Sequence, residues 1–229
     1  MVFAVILAGG SGTRMNSDTT KQRMMLCGES VVYRTLSAFD SSLDIDRIIL
    51  VCRDDELEYM KKELSGFGKL YKIVTGGKTR AESSYNGVSA IDLECDFVAI
   101  HDAARCLITP GDISRIVQTA RLTGAATAAT AISDTIKKVD SSGCITETLK
   151  RDELLAVQTP QVFDYKRLLA LFDGMDLLSG DITDDNMLYE RAGYAITPVD
   201  IGTENIKITT PRDMLLAELI IKERENAEF

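Results

Sequence analysis

The residues best suited to chemistry open the chain. In VFAVILAGGSGTRM, residues 2 to 15, seven apolar residues end at Ala8, and Gly9, Gly10 and Gly12 then crowd four positions before Arg14. Glycine lets a ligand approach backbone amides closely, so a glycine-rich turn leaving a buried strand suits an anion, with phosphate the obvious candidate. Spacing excludes two familiar phosphate loops. A dinucleotide G-x-G-x-x-G begun at Gly10 and Gly12 would need a third glycine at position 15, which is Met15. The GGKT of Gly76 to Thr79 lacks the earlier glycine of a P-loop, because position 72 is Lys72. A turn required by backbone geometry alone is the plain alternative.

Further along stand charged residues that fit phosphate chemistry. Arg14 and Lys21 follow the turn closely enough to close over a triphosphate and stabilise charge as it shifts, although either alone also reads as a surface cation. Asp102 ends an apolar run and suits Mg2+, which takes a few carboxylate oxygens together with substrate phosphates; capping the next turn is its ordinary role. Arg105 and Arg151 suit a bidentate grip on a phosphate monoester. His101 reads as structural, since no nucleophilic Ser or Cys pairs with it in a recognisable motif. Asp184 and Asp185 read as acids serving a helix start, and Lys207 is ambiguous by itself.

The elements that must position these groups alternate. Val2 to Ala8, Arg47 to Cys52, Leu70 to Val74 and Phe97 to His101 read as buried strands, separated by helical stretches from Val31, Asp54 and Thr79. That order implies right-handed crossovers and a parallel sheet covered on both faces, with ligands beyond the carboxyl ends of the strands. Pro110 to Leu122 reads as a helix and Ala125 to Ala131 as a strand. A polar hairpin, Asp134 to Val139 and Cys144 to Leu149, then interrupts the pattern. A lone hairpin is marginal in water, so it is expected to pack on a second copy of the chain. Leu154 to Val157 resumes the sheet, and helices follow from Tyr165 and near Thr183. Short strands are expected at Ala195 to Asp200 and Asn205 to Ile208, before a last helix capped by Thr210 with Pro211 at its first position. At 229 residues with 4 prolines and no linker-like tract, one domain with a single excursion at about 133–153 is expected.

Composition narrows the partners. A net charge of -9 argues against general nucleic-acid binding, and a single histidine excludes a multi-histidine metal centre. Five cysteines without a C-x-x-C pair fit reduced thiols. With no apolar run long enough to span a bilayer and no leader pattern, a soluble, cytoplasmic protein outside the membrane is expected.

AGGSGTRM with KQ downstream, GGKTRAESS, HDAAR, the segment from Arg151 to QTPQ, TDD and ENIKITTP occur in that order. Over nearly the whole chain this series resembles the 2-C-methyl-D-erythritol 4-phosphate cytidylyltransferases of the non-mevalonate isoprenoid pathway. The resemblance implies an α/β fold: a three-layer, mostly parallel Rossmann-like sheet of the nucleotidyltransferase type with a protruding β-hairpin arm. It also implies a metal-dependent transfer of CMP from CTP to a polyol phosphate, with Mg2+ as cofactor. Ala8, Gly9, Gly10, Ser11, Gly12, Thr13 and Arg14 would wrap the nucleotide, with Arg14, Lys21 and Lys207 on its phosphates. Gly77 and Ser83 would read the cytosine, and Asp102 would serve the ribose or the metal. Arg105, Thr135, Arg151, Thr159 and Thr183 would hold the acceptor, Thr135 and Arg151 across a homodimer with shared active sites.

Three positions depart from the family pattern: Cys106 where proline usually follows HDAAR, Gly9 where alanine is common, and Lys78 where an acidic or polar residue often stands. A thiol at Cys106 beside the site would make the enzyme sensitive to alkylation. A sister enzyme acting on ribitol 5-phosphate and a catalytically silent nucleotide sensor are the competing readings.

Overall fold

β1 (Val2–Leu7) is buried along its whole length, as a strand with apolar residues on both faces must be. The structure is a computed structural model that describes residues 1–10, 20–174, 177–178 and 182–227. After β1 come a hairpin of β2 (Met25–Leu26) and β3 (Glu29–Ser30), then α1 (Val31–Ser41), β4 (Arg47–Cys52), α2 (Leu57–Glu63), β5 (Leu70–Thr75) and α3 (Arg80–Ser89). β6 (Phe97–Asp102), α4 (Pro110–Thr123), β7 (Ala125–Ala131), β8 (Lys137–Val139), β9 (Ile145–Thr148) and β10 (Leu155–Asp164) follow. The chain ends with α5 (Tyr165–Phe172), α6 (Asn186–Arg191), β11 (Thr197–Asp200) and α7 (Pro211–Ala227).

Seven strands form the central sheet in the order β11-β7-β10-β6-β1-β4-β5. Parallel pairing joins β1 to β4 and β6, β4 to β5, and β7 to β11, while β10 runs antiparallel to both β6 and β7. Successive side chains of a strand point to opposite faces, and the core divides accordingly. Val2, Ala4 and Ile6 pack with α1, α2 and α4, whereas Phe3, Val5 and Leu7 pack with α3, α5 and α6. Gly87 lets α3 approach the sheet closely, for a Cβ there would lie 2.3 Å from Val5 Cγ1 and 2.7 Å from Val51 Cγ2. Because α3 begins at the end of the 76–79 turn, this close packing also places that turn over the strand ends.

Local signals set most boundaries. Ser30 Oγ accepts from Tyr33 N at 3.3 Å, Thr79 Oγ1 from Glu82 N at 3.0 Å and Thr109 Oγ1 from Asp112 N at 3.1 Å, three side-chain caps for α1, α3 and α4. Thr210 and Asp213 cap each other ahead of α7, with Pro211 at its first position as expected. Elsewhere the structure differs from expectation. The β2–β3 hairpin was not foreseen; its two-residue turn, Cys27 and Gly28, has φ values of 47° and 86°, and a cysteine is an unusual residue for such a turn. β10 runs through QTPQ to Asp164, with a register shift between Val157 and Gln161 and a cis Thr159–Pro160 bond. Residues 205–208 are not a strand, because their polar groups bond to Arg105, Gln158, Thr159 and Ala104 instead of to a neighbouring strand. α6 starts three residues beyond Thr183, with Asp185 turned to Arg80 and Asp184 accepting from Gln161 as well as from Met187 N in the first turn of the helix.

Among the described residues no helix is long and apolar enough to cross a membrane. The β8–β9 hairpin is exposed throughout and forms a sheet of its own.

The structure corrects the expectation for Cys106. Its side chain turns away from the strand ends into a cluster with Leu26, Val31, Ile208 and the α7 residues Met214 and Ala217, where burial pushes the thiol up to about 12. Cys52 and Cys95 are buried as well, raised to about 11 and about 12 by burial, whereas Cys27 and Cys144 are exposed. Thiolate is the reactive form, so brief iodoacetamide treatment of the native protein should label Cys27 and Cys144 alone, and unfolding should release the others. Peptide mass spectrometry showing Cys106 alkylated in the native protein would overturn this assignment.

Candidate active site

β1 and β6 pair so that Leu7 stands opposite Asp102, which brings the glycine turn and the acidic strand end to one edge of the sheet. A cleft of about 440 Å3 opens there, lined by Leu7, Gly9, Gly10, Lys21, Gln22, Gly77, Lys78, Thr79, Arg80, Ser83, Asp102, Ala104 and Lys207. That volume suits a small organic ligand. Lys21 reaches the cleft from a short 3-10 turn, and a Cβ on Gly10 would lie 3.7 Å from its Nζ. Ser11, Gly12, Thr13 and Arg14 lie outside the described residues. Ala8 is buried, and its N–H donates to the Val51 carbonyl at 2.7 Å.

Charge concentrates at Asp102. Lys207 Nζ lies 2.6 Å from Asp102 Oδ2, and Arg80 Nε lies 3.4 Å from Oδ1. Arg80 also donates through Nη1 to Asp185 Oδ2 at 2.7 Å, and the Asp185 side chain has no solvent exposure. Burial opposes ionisation of Asp102, yet Arg80 and Lys207 outweigh it and hold the carboxyl well below the usual range. Burial likewise opposes the Arg80 charge, and Asp185 and Asp102 more than restore it. The result is an alternating string, Asp185, Arg80, Asp102 and Lys207, whose last member is partly exposed to the cleft.

A second layer fixes these groups. Asp102 N donates to Thr159 Oγ1 at 3.1 Å, and Thr159 Oγ1 lies 3.1 Å from His101 Nδ1. His101 Nε2 lies 3.2 Å from the Arg105 carbonyl, which can only accept, so Nε2 carries the proton and Nδ1 accepts from Thr159. His101 is fully buried against Phe39, and burial pushes it down to about 3, so it stays neutral. Its structural reading is borne out. Asn205 Nδ2 donates to Gln158 Oε1 at 2.9 Å and to the Thr159 carbonyl at 3.0 Å, while the Asn205 carbonyl accepts from Arg105 Nη1 at 2.9 Å. Ile208 N donates to the Ala104 carbonyl at 2.8 Å, so the segment carrying Lys207 is fastened on both sides of it.

Not every residue expected at the site lines this cleft. The Thr159 hydroxyl is spent within the second layer. Arg105 runs to Asn205, with its Nε buried and unpartnered. Thr183 is exposed at the approach to α6, its hydroxyl 3.3 Å from Met187 Sδ. Thr135 and Arg151 come together in another cavity, of about 490 Å3, at the foot of the β8–β9 hairpin, where Arg151 Nη1 donates to the Ser133 carbonyl at 2.9 Å.

Of the charge string, Arg80 was not singled out in the sequence, and Asp185 was read there only as an acid serving a helix start. Arg80 carried one signal: a cation in the first turn of a helix opposes the helix dipole and needs another reason to be there. Asp184 does serve the helix start, accepting from Met187 N at 3.3 Å, but Asp185 turns inward to Arg80. Among the described residues no group of three His, Cys, Asp or Glu is placed to hold a metal. Asp102 supplies a carboxylate to the cleft lining, where its oxygens face Lys207 and Arg80.

A mostly parallel, helix-covered sheet with a glycine turn, lysines and one carboxylate at its strand ends defines a nucleotidyltransferase-type α/β protein. Comparison with known proteins narrows this. The IspD family model, 2-C-methyl-D-erythritol 4-phosphate cytidylyltransferase, matches residues 2–223. Proteins of that name from Caldanaerobacter subterraneus subsp. tengcongensis and Alkaliphilus oremlandii are 41% and 40% identical, each covering 96% of this chain, and the chain covers 99% and 94% of them. The crystal structure of 4-diphosphocytidyl-2C-methyl-D-erythritol synthase from Anaerococcus prevotii superposes with a TM-score of 0.86 at 30% identity, over 96% of both chains. The chain belongs to the 2-C-methyl-D-erythritol 4-phosphate cytidylyltransferase family.

The neutral, buried His101 sets a pH dependence of stability. Its folded value of about 3 lies below the ordinary 6.5, so the unfolded chain takes up the proton first and stability falls as pH drops from 6.5 towards 3. Between pH 6.5 and 4 this loss is on the order of 3 kcal/mol. Urea titrations across that range should show a shallower pH dependence in His101→Gln, and an unchanged slope would contradict the neutral assignment.

Proposed function

We propose that this chain transfers CMP from CTP to 2-C-methyl-D-erythritol 4-phosphate in the cleft beside Asp102. Family membership supports the reaction, and the meeting of Lys21, Lys207 and Asp102 with Gly9 and Gly10 supports the location. A phosphate oxygen of the acceptor attacks the α-phosphorus of CTP; the new P–O bond forms as the bond to pyrophosphate breaks, and CDP-methylerythritol results. No protein nucleophile is required, so the side chains align the reactants and stabilise developing charge. Lys21 and Lys207, with Arg14, hold the phosphates; Gly77 and Ser83 face the base; and Asp102 keeps Lys207 over the cleft. Mg2+ bound with the triphosphate would screen its charge, with Asp102 as the protein oxygen.

Arg105, Thr159 and Thr183 form the acceptor side, Thr159 acting through the Asp102 and His101 groups that it fixes. Thr135 and Arg151 reach the acceptor from a partner copy through the β8–β9 arm. Two observations support a homodimer: these residues gather away from the cleft, and Val139, Ile145, Leu155 and Val157 leave apolar surface exposed on and beside the arm. Free cysteines support a cytoplasmic setting.

Pyrophosphate release from CTP, Mg2+ and methylerythritol phosphate tests the reaction, with ribitol 5-phosphate as the competing acceptor; turnover of ribitol phosphate alone would overturn the acceptor. Lys21→Ala should lower kcat by about 10²-fold or more while the fold survives, and near-normal kcat would remove its role. EDTA should abolish turnover, and Mg2+ should restore it. Mixing inactive Lys21→Ala and Arg151→Ala proteins should recover about a quarter of wild-type activity, since mixed dimers hold one intact site. No recovery after subunit exchange, confirmed by mass spectrometry, would sink the shared site.

A further inference from the structure

Glu82 sits outside the nucleotide cleft, yet its side chain is folded tightly against the cleft wall. A Cβ on Gly77 would come within 2.2 Å of Glu82 Cγ and 2.4 Å of its Cδ, so Gly77 is glycine because the Glu82 chain lies across it. At the end of that path Glu82 Oε2 accepts from Lys78 N at 2.6 Å. One residue later, Ser83 Oγ accepts from Gly77 N at 3.0 Å and donates to the Thr79 carbonyl at 2.9 Å. Consecutive backbone N–H groups of the turn are thus held by consecutive side chains of α3. An ordinary capping box would send the glutamate back to the N–H of the cap, Thr79; here it reaches past the cap to residue 78.

Gly77, Lys78, Thr79 and Ser83 line the nucleotide cleft, while Glu82 lines a neighbouring cavity with Arg53, Asp54 and Asp55, so the turn is the wall between the two. Cytosine and uracil differ only in the hydrogen-bonding groups at ring positions 3 and 4. A wall of backbone groups separates them only if those groups are held in place, because a turn free to reorient can satisfy either edge. Resting on the reading of this cleft as the CTP site, we propose that Glu82 is a positioning residue for base selectivity, bracing the 76–79 turn from behind so that it accepts cytosine and rejects uracil. The turn is fastened through the backbone of residue 78, which explains why a lysine side chain is tolerated there.

Steady-state kinetics with CTP and UTP test this on wild type, Glu82→Ala and Glu82→Gln. The alanine variant should raise KM for CTP and lower the CTP/UTP ratio of kcat/KM, each by about tenfold, the worth of one such hydrogen bond. KM for the acceptor should stay within about twofold, because the acceptor side is untouched. Glu82→Gln keeps an oxygen that can take the Lys78 N–H, so it should stay within about threefold of wild type in every constant. Unchanged CTP/UTP selectivity in Glu82→Ala overturns the proposal. So does a parallel rise in both KM values with a lowered Tm, or a glutamine variant as impaired as alanine. Failure of the wild type to turn over CTP would instead remove the reading of the cleft, and the two failures are separate.

Discussion

The carboxylate of Asp102, held between Lys207 and Arg80, is the interaction on which the site depends. A carboxylate buried at a strand end cannot stay ionised without compensating charge, and two cations from distant parts of the chain supply it. Arg80 is itself partly buried, and it is stabilised by Asp185, which is fully buried. Removing Arg80 leaves the buried carboxylate of Asp185 without its cation, a loss that for a buried pair costs about 3–5 kcal/mol. The string therefore ties α3, β6, the approach to α6 and the segment before α7 to one point, and of its members Lys207 is the most open.

Around that point the neutral groups have equally little freedom. Burial keeps His101 neutral where it sits, and it links Thr159 to the Arg105 carbonyl by hydrogen bonds. Asn205 performs a similar task between Gln158, Thr159 and Arg105. Together they set the height of the Asp102 backbone and the course of residues 205–208. Lys207 is thus held at 2.6 Å from Asp102 above a floor of paired polar groups.

Much of this fold was legible in the sequence because its signals are local. Buried strands announce themselves as short apolar runs, and the Thr210-Pro211 pair marks a helix start by a bond that spans only three residues. The glycine turn and Asp102 were legible as candidates because each follows directly from a strand. What connects them was not. Arg80 and Asp185 are 105 residues apart, as are Asp102 and Lys207, and no periodicity encodes such a pairing. The β2–β3 turn escaped because Cys27 occupies a conformation usually given to glycine or asparagine. Cys106 misled because adjacency to HDAAR in sequence says nothing of direction: the chain turns after Ala104 and buries the thiol beneath α7.

The reversed direction of β10 has a consequence for how such a protein changes over generations. Because β10 runs against β6 and β7, the excursion from Ala131 leaves and re-enters the sheet at neighbouring, paired positions, Ala131 opposite Leu155. Chain between two anchored, adjacent ends can be lengthened at little entropic cost, about 0.6 kcal/mol per doubling. The arm is thus an interchangeable module: its length and surface can drift while the strands beside the cleft keep their register.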